Sequence, residues 1–486
     1  MFDRVNENCG VFGAYDYKER EVSSFLYWGM ISQNHRGHQS YGFLTYDGED
    51  FDSVNDTGLL PVKDNGSENE FKNLNGSVGI GHVRYATSGS SEDLKQDIQP
   101  FVEEKGDSKI AIGYNGNLVN KGEISKGFRD LRTNCDTELL CRIFMEGAEG
   151  TDLFSGAKHC MERIEGSFSV VGVDNEGRLF AFRDPKGIKP LCYGRGEGDD
   201  VYAISSESVG LSINGFEYID EVSPGEMLVF SDGGLERKQV MESESRAFCS
   251  FEFDYFARPD AVFGGTPVYK IREEFGRNLA RENPDITEKA DMIVSIPQTA
   301  NDIAYGLHEK TGLPWERAVR KHRYVTSRAF ISSSGKRGEI IDKKINVDWS
   351  QLEGKDIAIA EDSIVRGTTS TRVTKKMKEL GVGDIHFYLS FPRIISPCFY
   401  GIDMTTFEEL IGSDHTPEEV AQEIGVESVN YQSIEGFVEA TGMDREELCL
   451  GCITMDYPTD KAQELAEKFK AKFEKGIDES GRIYER

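Results

Sequence analysis

Cys9 stands in NENCGVFGAYD, followed by a glycine and an apolar, strand-like run. A lone thiol is ordinarily a small buried hydrophobe. It becomes a nucleophile if residues 1–8 are removed. Cys9 would then carry its own α-amine, whose pKa of about 8 suits it to take the thiol proton. No histidine or separate acid is required, and Gly10 would let a substrate approach the backbone.

A second chemical segment is IAIAEDSIVRGTTSTR, residues 357–372. Its apolar start reads as a strand, with Glu361 and Asp362 at the C-terminal end. Arg366, Gly367, Thr368, Thr369 and Ser370 follow, offering backbone amides, hydroxyls and a cation at a helix start. That combination suits a sugar 5′-phosphate. The paired acids suit ribose hydroxyls and a hard cation such as Mg2+. The plainer reading is a polar loop after a strand.

Cys449 and Cys452 form a CxxC in ELCLGCI. One CxxC is compatible with a redox motif, half a zinc site or half an iron–sulfur site. Cys249 in AFCSFEFDYFARPD and Cys398 in SPCFYGID stand far away, and spacing alone does not bring the four together. Cys135, Cys141, Cys160 and Cys192 read as core or surface residues.

The elements that must position these groups fall into two sets. In the first half, 78–86 and 109–119 read as strands ending in functional loops, and 167–184 as a hairpin turning at Asp174–Gly177. Further strands follow at 201–208 and 226–230, and 23–37 and 136–147 read as helices. This is a layered α/β unit with antiparallel sheets, ending near residue 245. In the second half, strands at 290–297, 357–360 and 384–390 alternate with helices at 270–282, 301–312 and 370–381. That alternation predicts a mostly parallel sheet, with ligands at strand C-termini. A charged segment closes the chain. No internal repeat is present.

The chain has 486 residues, too many for one ordinary core. It carries 85 Asp and Glu against 56 Lys and Arg, a net charge of -29, spread along its length. Such a surface repels nucleic acid and anionic membrane, so neither is an expected partner. Two explanations stay open: adaptation to high salt, which screens self-repulsion, or an ordinary acidic cytosolic protein. No secretory signal opens the sequence and no run of 18 apolar residues occurs, so a cytoplasmic location is expected. Nine cysteines, an odd number, argue against a disulfide scaffold.

The segments ENCGVFG, NHRGHQSYG, GHVRYAT, NGNLVN and the DTE at 136–138, with EDSIVRGTTS, resemble the glutamine phosphoribosylpyrophosphate amidotransferases of purine synthesis over nearly the whole length. The resemblance implies an α/β protein in two parts. An αββα-layered N-terminal-nucleophile glutaminase domain would span 9–245 behind a propeptide, 1–8. A type I phosphoribosyltransferase domain with a mostly parallel sheet would span 255–465, followed by a charged tail, 466–486. Cys9 would attack the glutamine amide, and Asn115 and Gly116 would form the oxyanion hole. Arg84 and Asp136 would hold the α-carboxylate and α-amine. Arg366, Gly367, Thr368, Thr369 and Ser370 would cradle phosphoribosyl diphosphate. Lys321, Arg323 and Arg328, in a loop that closes over the donor, would meet its diphosphate. Thr299, Glu361 and Asp362 would attend Mg2+. One branch of the family carries a [4Fe–4S] cluster, whose ligand motifs match Cys249, Cys398, Cys449 and Cys452. The family is generally a homo-oligomer inhibited by purine nucleotides. The product would be 5-phosphoribosylamine.

Departures from the family pattern are Tyr114 for a histidine, QDIQP at 96–100 for NAQP, Glu361 for an aspartate, and Gln298 and Ala300 within SIPQTA. They keep open a divergent paralogue acting as a glutaminase or as a nucleotide-sensing regulator. Other glutamine-dependent transferases sharing the nucleophile domain lack the EDSIVRGTT segment.

Overall fold

The computed structural model describes residues 9–62, 71, 74–85, 93–148, 152–243, 245–321 and 345–477. The first half is a sandwich of two antiparallel sheets. One has seven strands in the order Glu217–Glu221, Cys192–Arg195, Val201–Ser205, Gly10–Asp16, Val78–Arg84, Ser40–Tyr46, Phe51–Thr57. The other has six, in the order Gly234–Gln239, Glu226–Ser231, Leu179–Arg183, Gly166–Asp174, Ser108–Leu118, Phe101–Lys105.

Side-chain alternation explains the layering. In Gly166–Asp174, Val171 and Val173 face the other sheet, where they pack with Val11 and Ile80. Phe168 and Val170 face outward against the helix Asp136–Ala148. Both faces of that strand are therefore buried, and all nine of its residues are inaccessible. Phe144 of the helix stacks on Phe180, with ring centroids 5.0 Å apart. The helix Ser23–Ser32 covers the opposite side, giving helix, sheet, sheet, helix. The hairpin at 167–184 turns where its polar residues predict.

The helix expected over 23–37 stops at Ser32. Ser32 Oγ and Gln33 Nε2 both donate to the Gly29 carbonyl, at 2.7 and 3.2 Å. Side chains bonding back to the last turn compete with continued helix. The chain then turns inward and buries Arg36.

The second half carries a five-stranded, wholly parallel sheet in the order Trp315–Glu316, Met292–Ser295, Ile357–Glu361, Ile385–Leu389, Ser428–Tyr431. The helices Val268–Glu282 and Ala300–Thr311 cross at Gly276 and Gly306. A Cβ at either would lie about 2 Å from the facing backbone oxygen, so only glycine permits this approach. The last helix, Asp460–Phe473, runs through residue 465 and buries Ala466 and Phe469. No described helix is long and apolar enough to cross a membrane.

The halves meet over a shared core in which Phe248, Phe251 and Phe253 pack with Phe391 and Phe399. Hydrogen bonds also cross the junction. Asn117 Nδ2 donates to the Phe399 carbonyl at 2.9 Å, and Ser167 Oγ to the Tyr400 carbonyl at 3.0 Å.

Candidate active site

Cys9 immediately precedes the Gly10–Asp16 strand. Gly10 pairs with Val83, which sets Cys9 beside Arg84, the last residue of its own strand. Asn115 and Gly116 come from the facing sheet, where Gly116 pairs with Phe168. A Cβ on Gly116 would fall 1.8 Å from the Ser167 carbonyl oxygen, so this ladder position excludes any side chain. Asn115 is buried, and its Nδ2 has no hydrogen-bond acceptor among the described residues. A buried amide donor left unmet is costly. It is available for an oxyanion.

Asp136 opens its helix. The buried Glu138 fixes the approach to it by accepting from the backbone amides of Arg132 and Thr133, at 2.9 and 2.7 Å. Three donors then orient Asp136. Tyr114 Oη donates to Oδ2 at 3.0 Å, the Leu118 amide to the same oxygen at 3.4 Å, and Lys121 Nζ lies 2.8 Å from Oδ1.

Electrostatics ties these groups into one site. Burial disfavours the charge on Arg84, but the neighbouring Cys135, Asp97 and Cys9 outweigh it and hold the guanidinium above its ordinary range. Its Nη2 donates to Asp97 at 3.1 Å, and its Nη1 is buried with no acceptor among the described residues. A second carboxylate would complete its fork. Burial, with Asp136, Cys135 and Cys9 nearby, pushes the Tyr114 phenol well up, so it stays a neutral donor. His82 lies beneath, Nε2 3.1 Å from the Tyr114 carbonyl oxygen, and burial pulls it down to about 3.

Three members of this site escape sequence reading. Arg36 donates from Nε to the Cys9 carbonyl at 3.2 Å. Gln99 Oε1 accepts from the Tyr114 amide at 2.9 Å. Lys121 pairs with Asp136. Arg36 lies within NHRGHQSYG and Gln99 within QDIQP, which are their only signals; Lys121 has none.

In the second half, Glu361 ends the central strand and Asp362 follows, both buried. Thr299 sits at the N-terminal boundary of the helix Ala300–Thr311, after the adjacent strand. The Ile296 amide donates to the Ala360 carbonyl, so Thr299 and the acids share one sheet edge. Gly367 adopts φ 74° and starts the helix Thr368–Glu379, which contains Thr369 and Ser370. Arg366 is held by the segment 403–409. Its Nη2 donates to Glu409 at 3.1 Å and to the Asp403 carbonyl at 3.3 Å. It lines a cavity of about 670 Å³ with Gly367, Thr368 and Glu409. Lys321 ends a strand that pairs with Ile345–Val347. Arg323 and Arg328 lie outside the described residues, as do residues 1–8 and 478–486.

The four cysteines of the second set lie in the core shared by the two halves. Cys249 and Cys449 face each other in a two-residue parallel ladder. The Cys452 carbonyl accepts from the Ile395 and Ser396 amides, at 2.9 and 3.1 Å, beside Cys398. Burial, opposed by Lys189 and reinforced by Glu252 and Cys398, pushes the Cys249 thiol up to about 11. Burial, reinforced by the other three cysteines, pushes the Cys452 thiol far up. Among the described residues, no three His, Cys, Asp or Glu side chains sit closely enough to share a single metal ion.

A glutamine amidotransferase domain family matches residues 82–212. The chain is 36% identical to the amidophosphoribosyltransferase of Methanocaldococcus jannaschii, over 93% of this chain and 98% of that protein. It is 34% identical to the amidophosphoribosyltransferase of Bacillus subtilis, over 95% and 96%. It superposes with a TM-score of 0.83 on the B. subtilis glutamine phosphoribosylpyrophosphate amidotransferase complexed with ADP and GMP, covering 93% of this chain and 98% of that one at 34% identity. With a layered nucleophile half joined to a parallel-sheet half, the chain belongs to the amidophosphoribosyltransferases, a family of glutamine-dependent pentosyltransferases.

Proposed function

We propose that this chain converts glutamine, water and phosphoribosyl diphosphate to 5-phosphoribosylamine, glutamate and diphosphate, through two sites joined inside one chain. The observation that carries the reading is the meeting of Cys9, Arg84, Asn115 and Asp136, drawn from two sheets and a helix, at one edge of the sandwich. Each group has a task suited to its chemistry. Arg84 takes the α-carboxylate of glutamine and Asp136 its ammonium group. With residues 1–8 removed, the Cys9 α-amine accepts the thiol proton and the thiolate attacks the side-chain amide carbon. Asn115 Nδ2 and the Gly116 amide stabilise the oxyanion, a contribution of about 3 kcal/mol per donor. The amide C–N bond breaks as the amine returns its proton to nitrogen, releasing ammonia and a thioester. Water then hydrolyses the thioester to glutamate.

Ammonia attacks the anomeric carbon of the donor. The bond from that carbon to diphosphate oxygen breaks, and the nitrogen loses a proton. The loop 363–370 holds the 5′-phosphate chiefly through backbone amides and hydroxyls, since Arg366 is engaged elsewhere. Lys321, with Arg323 and Arg328, meets the diphosphate. Glu361, Asp362 and Thr299 fit Mg2+, being hard oxygen donors on one sheet edge; bound there, the ion would offset charge on the leaving diphosphate.

Four soft thiols from three segments suit an iron–sulfur cluster better than a single ion. Cys249, Cys398, Cys449 and Cys452 would hold a [4Fe–4S] cluster that ties the junction together. Anaerobic iron and sulfide counts test this assignment. The B. subtilis relative, complexed with ADP and GMP, supports inhibition by purine nucleotides. A homo-oligomer in the cytoplasm completes the reading. The domains span 9–245 and 255–465, before the segment 466–486.

Intact-mass measurement of the active protein, with glutamate and diphosphate counted together, tests the reading. A chain beginning at Cys9 that releases the two products in equal amounts supports it. An active chain that keeps residues 1–8, or glutamate release indifferent to the donor, contradicts it.

A further inference from the structure

The two groups assigned to the α-carboxylate and α-ammonium of glutamine each lie against an opposite charge supplied by the protein. Arg84 Nη2 donates to Asp97 Oδ2 at 3.1 Å, and the two side chains are 11% and 10% exposed. Lys121 Nζ lies 2.8 Å from Asp136 Oδ1, and this pair is 14% and 13% exposed. Pairs so far withdrawn from solvent are screened much less than surface pairs. The arrangement mirrors an α-amino acid: a carboxylate on the guanidinium and an ammonium on the aspartate.

Local structure holds both partners in place. Asp97 directly follows the helix Asp93–Gln96. Beyond it, Gln99 fastens the segment to the Tyr114 amide at 2.9 Å. Lys121 opens the helix Lys121–Ile124 and also donates to the Asn134 carbonyl at 2.7 Å. It therefore bridges the approach to Asp136 and the carboxylate itself.

Neither recognition group is closed to substrate. Arg84 Nη1 is buried with no acceptor among the described residues. The carboxylate of Asp136 offers lone pairs beyond those that Tyr114, Leu118 and Lys121 engage. Bound glutamine, however, would set a second carboxylate beside Asp97 and a second ammonium beside Lys121. Like charges in such proximity repel, and more strongly away from water. The penalty falls on the α-groups, away from the side-chain amide where the chemistry occurs. It belongs to binding, and so to KM more than to kcat.

We propose that Asp97 and Lys121 are resident counter-ions of the glutamine site, competing with the α-carboxylate and α-ammonium of the substrate and so setting its affinity. This inference rests on the roles given above to Arg84 and Asp136. Its signature is a substitution that tightens substrate binding, which the loss of a merely structural ion pair would not produce.

The test follows glutamate release by the full-length chain against glutamine concentration, in Asp97→Asn, Lys121→Met and the double variant. Each single change should lower the glutamine KM about 3- to 10-fold and hold kcat within about twofold. The two act at opposite ends of the substrate, so the double variant should show the product of their effects. Lys121→Arg keeps the cation and should keep the KM of the unaltered chain. Two truncated glutamines, used as competitive inhibitors, separate the ends. Lys121→Met should tighten γ-aminobutyramide, which has the ammonium and no carboxylate, and leave glutaramate, which has the carboxylate and no ammonium, unchanged. Asp97→Asn should do the reverse. Asp97→Asn preserves shape, so it decides the matter if Lys121→Met does not fold. Folded variants whose KM stays or rises, or that tighten both truncated ligands alike, overturn the counter-ion role alone. An unaltered chain that releases no glutamate from glutamine overturns both this role and the site roles beneath it.

Discussion

Tyr114 precedes Asn115 at a position where the family usually has histidine, and its phenol donates to Asp136 at 3.0 Å. Held neutral by burial, it orients the carboxylate assigned to the glutamine amine without adding charge. A hydrogen bond to a charged group contributes about 1.5–3 kcal/mol, but Lys121 and the Leu118 amide share Asp136. Tyr114→Phe should therefore raise the glutamine KM about 3- to 10-fold with little change in kcat, and leave ammonium-dependent synthesis unaltered. An unchanged KM would detach Tyr114 from substrate binding. His82 beneath it makes a pH prediction. Its folded value of about 3 lies below the unfolded value of about 6.5, so the unfolded chain takes up a proton first as pH falls. Stability from this group is present above about pH 6.5 and is lost progressively toward pH 3. Chemical denaturation between pH 7 and 5 should show a decline that His82→Gln reduces. At this scale Cys9, Arg84, Asn115 and Asp136 were legible because short motifs surround them. Arg36 and Glu252 were not, because 216 residues separate them and only the folded junction joins them.

Elements were legible where a period runs long enough. The alternation in 167–173 and the strand–loop–helix order of 354–381 predict their elements because each face meets a different layer. The two-residue ladder of Cys249 and Cys449 and the π-helical turn after it carry no period, so sequence alone left the four cysteines unconnected. The oxyanion strand shows how tightly an element can constrain a residue. Asn117 and Ser167 fasten it and its partner to the loop after Cys398, and Gly116 lies flat against Ser167. Gly116→Ala would force two strands apart and should cost more than the roughly 1–3 kcal/mol of ordinary overpacking. Thermal melting should show a clear loss of stability, with glutamine hydrolysis abolished in whatever folds. A variant as stable as the parent would contradict the register Gly116 to Phe168.

Across the whole molecule, 85 acidic residues against 56 basic ones set a field that no single site accounts for. At low ionic strength this excess repels itself, and the Debye length falls from about 10 Å at 0.1 M salt to about 3 Å at 1 M. Raising KCl from 0.1 to 2 M should therefore raise the Tm, and a Tm that falls would exclude the high-salt explanation of the composition. Charge is legible from sequence at once, since it needs no fold. The way the two halves meet is not, since it depends on Phe248, Phe251 and Phe253 packing against Phe391 and Phe399. That Cys9 frees the nitrogen which the other half transfers is the central proposal. It is tested most directly by diphosphate release from Cys9→Ala, with glutamine or ammonium as nitrogen source. The expected result is loss of glutamine-dependent release by at least about a thousandfold, with ammonium-dependent release retained. Glutamine-dependent release that survives the substitution would contradict the account.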